Sequence, residues 1–304
     1  MFGWGDEFEY FCCSECGCLQ ICKVPENLAR FYPPIYYSFH LQPIPRQGVK
    51  SWLGGKRDLW AATRRGPLGF LVNAIIPARI EVASLGGVPA RREMRILDVG
   101  CGSGQLLSIL HRAGMENLQG IDPYLAADVE VLPGLWVRKQ ALDDVSGAYD
   151  LIMLHHVFEH VEDGRKLLAA ACSRLTRNGK ILLRFPTPES EAWKRYEKNW
   201  VQIDAPRHLV LHTRKSLEVL AEQTGLSMER CWCDSSAMQF WASELYKKGV
   251  SLYDEKGVIR DPVDYFTKAE IKEFNALAKN MNASGRGDQL VVILKANSSK
   301  SDNV

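Results

Sequence analysis

The sequence predicts an α/β fold built on a mostly parallel sheet, and three observations carry that reading. From Met94 onward, short apolar runs alternate with helical runs, the pattern of right-handed strand–helix–strand crossovers. Arg95-Ile-Leu-Asp-Val-Gly-Cys-Gly-Ser-Gly-Gln-Leu-Leu107 reads as a buried strand, a glycine turn and the start of a helix. Acids then close the first two strands, Asp98 and Asp122. At 304 residues, 46% hydrophobic and 24% charged, the chain can bury a full core. Its net charge of +2 gives no overall push towards nucleic acid or a membrane surface. No apolar run reaches the roughly 18–20 residues that cross a bilayer. The acidic, aromatic start MFGWGDEFEY is unlike a signal peptide, so a cytoplasmic location is expected.

Taken in order, residues 1–30 hold five of the nine cysteines, Cys12, Cys13, Cys16, Cys18 and Cys22. Cys13-Ser-Glu-Cys16-Gly17 has the shape of a zinc knuckle, with Cys13 and Cys16 as ligands. Cys12, Cys18 and Cys22 are substitutes of poorer spacing; free thiols in a short hairpin are the alternative. Residues 31–58 read as an extended aromatic connector, broken by prolines at 33, 34, 43 and 45. A helical stretch is expected from about Leu59 to Leu85, interrupted near Gly66-Pro67 and at Pro77. Its apolar segment, residues 74–80, suits packing on the core or lining a substrate cavity.

The first strand is placed at Met94–Val99, with a helix at Gln105–Ala113. The second strand is Leu118–Ile121, a short helix lies near Leu125–Val129, and the third strand is Trp136–Lys139. Tyr149–Leu154 is the fourth strand and Val161–Leu175 a helix. Asn178-Gly179 turns into the fifth strand, Lys180–Phe185. Trp193, Tyr196 and Trp200 fit core packing better than the wall of a substrate pocket. Thr213 caps a helix running to about Gln223, and Gly225 stops it. Leu226–Cys233 and Gln289–Leu294 read as an antiparallel hairpin at the sheet edge, separated by a mostly helical insertion near 237–281. The polar tail 297–304 reads as disordered.

The chemistry lies at the strand ends. The loop has the spacing Gly100-x-Gly102-x-Gly104, with Gln105 where a dinucleotide fingerprint needs its third glycine. Asp98 sits poorly beside a pyrophosphate and well beside an ammonium group. Asp122 can accept both ribose hydroxyls. A nucleoside carrying a positively charged amino acid fits this pair better than NAD. His155-His156-Val-Phe-Glu159-His160 follows the fourth strand. If helical, it puts His156, Glu159 and His160 on one face. The spacing also matches an inverted zinc-peptidase motif, which its place after a strand disfavours. Arg207-His208 and His212 form a second polar cluster, where histidine can act as a general base or hold the loop.

The segments Leu97–Gly104, Gly120-Ile-Asp-Pro123, Tyr149-Asp-Leu-Ile, His156-Val-Phe-Glu-His-Val161 and Asn178-Gly-Lys-Ile-Leu resemble class I S-adenosylmethionine (SAM)-dependent methyltransferases. The likeness is to the broad group around ubiquinone-biosynthesis O-methyltransferases, and it extends to the cysteine leader and to Asp204-Ala-Pro-Arg-His-Leu. The resemblance implies a Rossmann-like, seven-stranded, mostly parallel sheet over residues 94–296. Residues 1–58 form a leader and connector, and 59–93 a helical lead-in. It implies that Gly100, Cys101, Gly102 and Gly104 pass under the methionine part of SAM, that Asp98 holds its ammonium, and that Asp122 with Pro123 meets the ribose. Backbone around Ala141 and Leu142 would meet the adenine, where many members carry an acid. His155 or His156 would face the sulfonium. His156 or His208 is the expected base, with Glu159 and His160 acting beside them or fixing the loop.

The group's second upstream Cys-x-x-Cys pair is absent, which departs from a complete zinc ribbon. The implied reaction is methyl transfer to a small-molecule, sugar or lipid-linked acceptor, with a hydroxyl oxygen favoured. A catalytically inactive SAM-binding scaffold of the same fold is the alternative. No nucleic-acid partner is expected, and nothing in the sequence fixes the oligomeric state.

Overall fold

A computed structural model describes residues 5–32, 48–88 and 90–297. Its centre is an eight-stranded sheet. The parallel strands are β3 (Arg95–Val99), β4 (Asn117–Ile121), β6 (Leu135–Arg138), β7 (Tyr149–His155) and β8 (Leu175–Pro186). Antiparallel strands flank them: β5 (Val129–Leu132) beside β6, and β10 (Leu226–Cys233) with β11 (Gln289–Ala296) beside β8. The order is β10-β11-β8-β7-β3-β4-β6-β5. Ile96, Leu97 and the run Leu151–Leu154 are fully buried because helices cover both faces of the sheet. One face carries α5 (Gly164–Cys172) and α7 (Arg214–Gln223), through Leu168, Ala171, Leu217 and Ala221. The other carries α1 (Val49–Thr63), α3 (Ile80–Ser84) and α4 (Gln105–Ala113), through Leu59, Val82, Ile109 and Leu110.

Two smaller layers complete the chain. The leader forms a hairpin of β1 (Tyr10–Cys12) and β2 (Leu19–Ile21) that pairs with β9 (Val210–Leu211) in a separate three-stranded sheet. The helices α6 (Glu191–Tyr196), α8 (Met238–Lys247) and α9 (Lys268–Ala283) pack around Trp200, Phe240 and Ala242. Trp200 is fully buried and donates its indole N–H to Asp288 at 3.0 Å. Tyr196 is buried too, while Trp193 is half-buried beside Trp200.

Several sequence expectations need correction. A helix begins at Val49, inside the expected connector, because Gly48 and the prolines end just before it. Residues 33–47 and 298–304, with the prolines and most of the tail named above, lie outside the described residues. The short helix near Leu125–Val129 is absent. The Asp128 carboxylate instead accepts the Lys139 N–H at 2.8 Å, and Val129 opens β5. Pro133-Gly134, with Gly134 at φ +80°, joins β5 to β6 and adds the eighth strand. The helix expected over Val161–Leu175 is shorter, since Asp163 caps it by accepting the Lys166 N–H at 2.8 Å. The breaks at Gly66-Pro67 and Pro77 fall between α1, α2 (Pro67–Ile75) and α3. The apolar segment around Ile75 and Ile76 neither joins the core nor lines a cavity: these residues are 81% and 58% exposed.

Candidate active site

The glycine loop needs its glycines for two separate reasons. Gly100, Gly102 and Gly104 have φ of +69°, +53° and +78°, the left-handed region that side chains disfavour. A Cβ on Gly100 would also lie 2.5 Å from Val157 Cγ2, and one on Gly104 would lie 2.8 Å from Val137 Cγ2. Asp122 ties the loop down, one carboxylate oxygen accepting the Gly102 N–H at 3.0 Å and the other the Tyr124 N–H at 2.9 Å. Each oxygen keeps a further lone pair for a hydroxyl. Pro123 beside it is exposed. Cys101 offers only backbone here. Its Sγ turns inward against Gly120, where a Cβ would meet it at 2.6 Å, and burial pushes the thiol well above its ordinary range.

Asp98 is the anomaly of the loop. It is 3% exposed and has no hydrogen-bond partner among the described residues. Burial, with Asp122 adding its negative charge, pushes its carboxyl up to about 8. A buried carboxylate without a partner is costly, and a ligand cation would relieve it. Nearby, the turn after β6 places Ala141 at the surface and Leu142 in the core. Arg174 braces that turn by donating to the carbonyls of Val145 at 2.9 Å and Asp143 at 2.6 Å.

At the end of β7, His156, Glu159 and His160 do not share a helix face. His156 takes φ +54°, a strained position for a non-glycine residue, and only Phe158–His160 winds, as a single 3-10 turn. His156 is thereby held between two partners. Arg184 Nη1 donates to its Nε2 at 2.6 Å, so Nδ1 carries the hydrogen and donates to Glu159 Oε1 at 3.1 Å. Arg184 is itself paired with Asp234 at 2.8 Å. Burial raises the Glu159 carboxyl, but the His156 hydrogen bond, with the neighbouring His156, His160 and His208 rings, outweighs it and holds it below the usual range. His155 leaves both ring nitrogens buried without a hydrogen-bond partner among the described residues. Burial, then Arg184 and His156, push it well below the ordinary histidine value, so it is neutral.

The second cluster meets the first across Glu159. His208 donates Nδ1–H to the Gln202 carbonyl at 2.7 Å, and its Nε2 lies 3.9 Å from Glu159 Oε1. His160 donates Nδ1–H to the Arg207 carbonyl at 2.9 Å, with the Tyr32 hydroxyl at 3.2 Å. Burial pushes both His208 and His212 down to about 4, so neither is charged at neutral pH. His208 is buried, whereas His160 is only partly so. Of the four candidate bases and helpers, His156 and Glu159 are engaged with each other. His160 alone joins partial exposure to an Nε2 left as an acceptor. The acceptor atoms of Glu159, His160 and His208 lie within 4.8 Å of one another, close enough to hold one cation. Sequence reasoning missed Arg184, Asp234 and Tyr32. A lone arginine in the apolar run Lys180–Phe185 was the available signal.

The cysteine hairpin makes a third cluster. Sulfurs of Cys13, Cys16 and Cys18 lie within 4.8 Å of one another, so Cys18 joins the expected pair. Gly17, at φ +73°, turns the chain so that its N–H meets the Cys13 carbonyl at 2.8 Å. Backbone N–H groups of Cys16 and Glu15 lower the Cys13 thiol, and burial raises Cys18 to about 12. The knuckle docks on α7, where the capping Thr213 hydroxyl donates to the Cys16 carbonyl at 2.6 Å.

Residues 77–230, just over half of the chain, match a family model described as a methyltransferase domain. The mitochondrial ubiquinone biosynthesis O-methyltransferase of Saccharomyces cerevisiae is 34% identical over 105 residues, 30% of this chain and 33% of that protein. The ubiquinone biosynthesis O-methyltransferase of Xanthomonas axonopodis pv. citri is 31% identical over 37% of this chain and 50% of its own length. A trans-aconitate 2-methyltransferase of Deinococcus radiodurans is 26% identical over 34% of this chain and 43% of its own. The chain thus spans a third to a half of the length of these curated relatives.

Proposed function

The chain belongs to the methyltransferase-domain family, and from that premise we propose that it binds SAM and methylates a hydroxyl oxygen on a small molecule. The observation that carries the reading is Asp98, a buried carboxylate without a hydrogen-bond partner among the described residues, at the mouth of a left-handed glycine loop. An ammonium group neutralises it; a pyrophosphate would repel it. Asp122 retains acceptor capacity for ribose hydroxyls, and backbone beside Ala141 and Leu142 is placed for adenine. Bound there, SAM supplies a methyl group already activated on a sulfonium.

The chain's own part is orientation and proton removal. Gly100, Gly102 and Gly104 let the methionine portion lie on bare backbone, and Val157 walls the loop beside them. His160 Nε2 would take the proton of the acceptor hydroxyl, whose oxygen would gain the methyl group as its bond to sulfur breaks and SAH leaves. Glu159, with His156 and Arg184 behind it, keeps that side of the site charged and ordered. Orientation supplies up to roughly 7–11 kcal/mol in intramolecular models, and a positioned base a further 10²–10⁴-fold. The relatives' names support an oxygen acceptor.

We read the cysteine hairpin as a zinc-binding knuckle with Cys13, Cys16 and Cys18 as three thiolate ligands. Three converging sulfurs, and N–H groups aimed at Cys13, support it.

Calorimetry with S-adenosylhomocysteine (SAH), SAM and NAD tests the cofactor. SAH and SAM should bind and NAD should not; tight NAD binding would sink the reading. Transfer of labelled methyl from SAM into small molecules of a cell extract tests the reaction. Binding of SAH without any transfer would favour the inactive scaffold.

A further inference from the structure

The balanced net charge conceals a strongly uneven distribution. Between Lys50 and Ile80 stand six cations, Lys50, Lys56, Arg57, Arg64, Arg65 and Arg79, against the single acid Asp58. Asp58 is buried and paired with Arg57 at 2.8 Å. This span is therefore strongly positive, and the rest of the chain is net negative. The same span presents the exposed apolar side chains of α2 and its end: Leu68, Phe70, Leu71, Ile75 and Ile76, from 39% to 81% exposed.

The local packing explains why α2 faces outward. Gly69 is its only buried residue, and a Cβ there would lie 2.2 Å from the Lys56 carbonyl, so α2 rests on α1 along that one line. Leu68, Leu71 and Ile75 recur at i, i+3 and i+7 and share an outward stripe. Exposed Arg65 and Arg79 bracket the helix at its two ends. No described helix is long and apolar enough to cross a membrane, so a helix of this kind lies on a surface. Soluble surfaces rarely carry so apolar a patch without a partner.

We infer that α2 docks the protein on the surface of an anionic phospholipid bilayer. Leu68, Leu71 and Ile75 enter the acyl boundary, and Arg65 and Arg79 meet lipid phosphates. Apolar centre and cationic rim match the layering of a headgroup region, apolar below and negative above. α2 leads within a few residues to α3, whose Glu81 is within electrostatic reach of Asp234 at the end of β10. The inference rests on surface composition and stands apart from the methyl-transfer reading.

Vesicle flotation of the full chain tests it, using phosphatidylcholine vesicles with and without about one third phosphatidylglycerol. The wild type should float with the anionic vesicles and bind at least about tenfold more weakly to neutral ones or in 0.5 M NaCl. Leu71→Glu with Ile75→Glu should lose binding about tenfold, as should Arg65→Glu with Arg79→Glu. Both sets are exposed, so thermal melting and SAH affinity should match the wild type in each. Failure of the wild type to float with anionic vesicles would overturn the inference, as would unaltered binding by both variants. A wild-type dimer that Leu71→Glu with Ile75→Glu converts to monomer would assign the face to a second copy and overturn it too.

Discussion

Asp98 makes the cofactor reading quantitative through pH. Its carboxyl is pushed up to about 8 by burial and by Asp122, so the empty protein holds it mostly protonated at neutral pH. An ammonium ligand needs it ionised. The ionised fraction is about 1% at pH 6 and about half at pH 8, so SAH affinity should rise roughly 50-fold between them, about 2 kcal/mol. Above pH 8 the curve should level. At pH 7, binding should release about 0.9 proton, which calorimetry in buffers of different ionisation enthalpy reads directly. Asp98→Asn keeps the shape and removes the charge. It should flatten the profile, weaken SAH about 30-fold or more at pH 8.5, and fall near the wild type at pH 6. A flat wild-type profile, or a slope retained in Asp98→Asn, would refute the assignment of the ammonium to Asp98.

The same residue sets a stability trend of opposite use. Unfolded, the carboxyl ionises near 3.8; folded, it does so near 8. Between these values the folded state holds the extra proton, so stability falls as pH rises from about 4 to about 8. Asp98→Asn should therefore melt higher than the wild type above pH 7, although it binds SAH less well.

Three further outcomes follow from the site. His160→Ala should lower turnover by about 10²–10⁴-fold with SAH affinity nearly unchanged, whereas His156→Ala should destabilise the fold by about 2–3 kcal/mol, because Arg184 and Glu159 lose a charged hydrogen bond. Native mass spectrometry should find one zinc per chain, lost in Cys16→Ser and retained in Cys22→Ser; a metal-free wild type purified with zinc present would refute the knuckle. Gly120→Ala should cost about 1–3 kcal/mol through the clash with Cys101 and Leu107, and adding Cys101→Ala should recover part of it in denaturant melts.

Legibility in the sequence followed locality. The unit from β3 to α4 is written in neighbouring residues: apolar strand, glycines with forced positive φ, then an amphipathic helix. Thr213 as a helix cap and Gly225 as a stop are equally local, and both stand where expected. The missed strand β5 shows the limit. Its turn, Pro133-Gly134, was visible, but its pairing with β6 is accompanied by an Asp128 side chain reaching the Lys139 N–H, which no local pattern shows.

The sequence by itself determined the α/β class, the glycine cradle and the two acids, because strand period, glycine φ and acid position are set within a few residues. The tertiary structure alone decided which partners the histidines meet. His156 sits between Arg184 and Glu159 only because β7 and β8 pair in register, and His208 reaches Glu159 only because the chain returns 49 residues later. It also brought Cys18 into the cysteine cluster and left Leu71 and Ile75 of α2 exposed among the described residues. These outcomes depend on which surfaces close over a side chain, and burial is a property of the packed whole rather than of any stretch of chain.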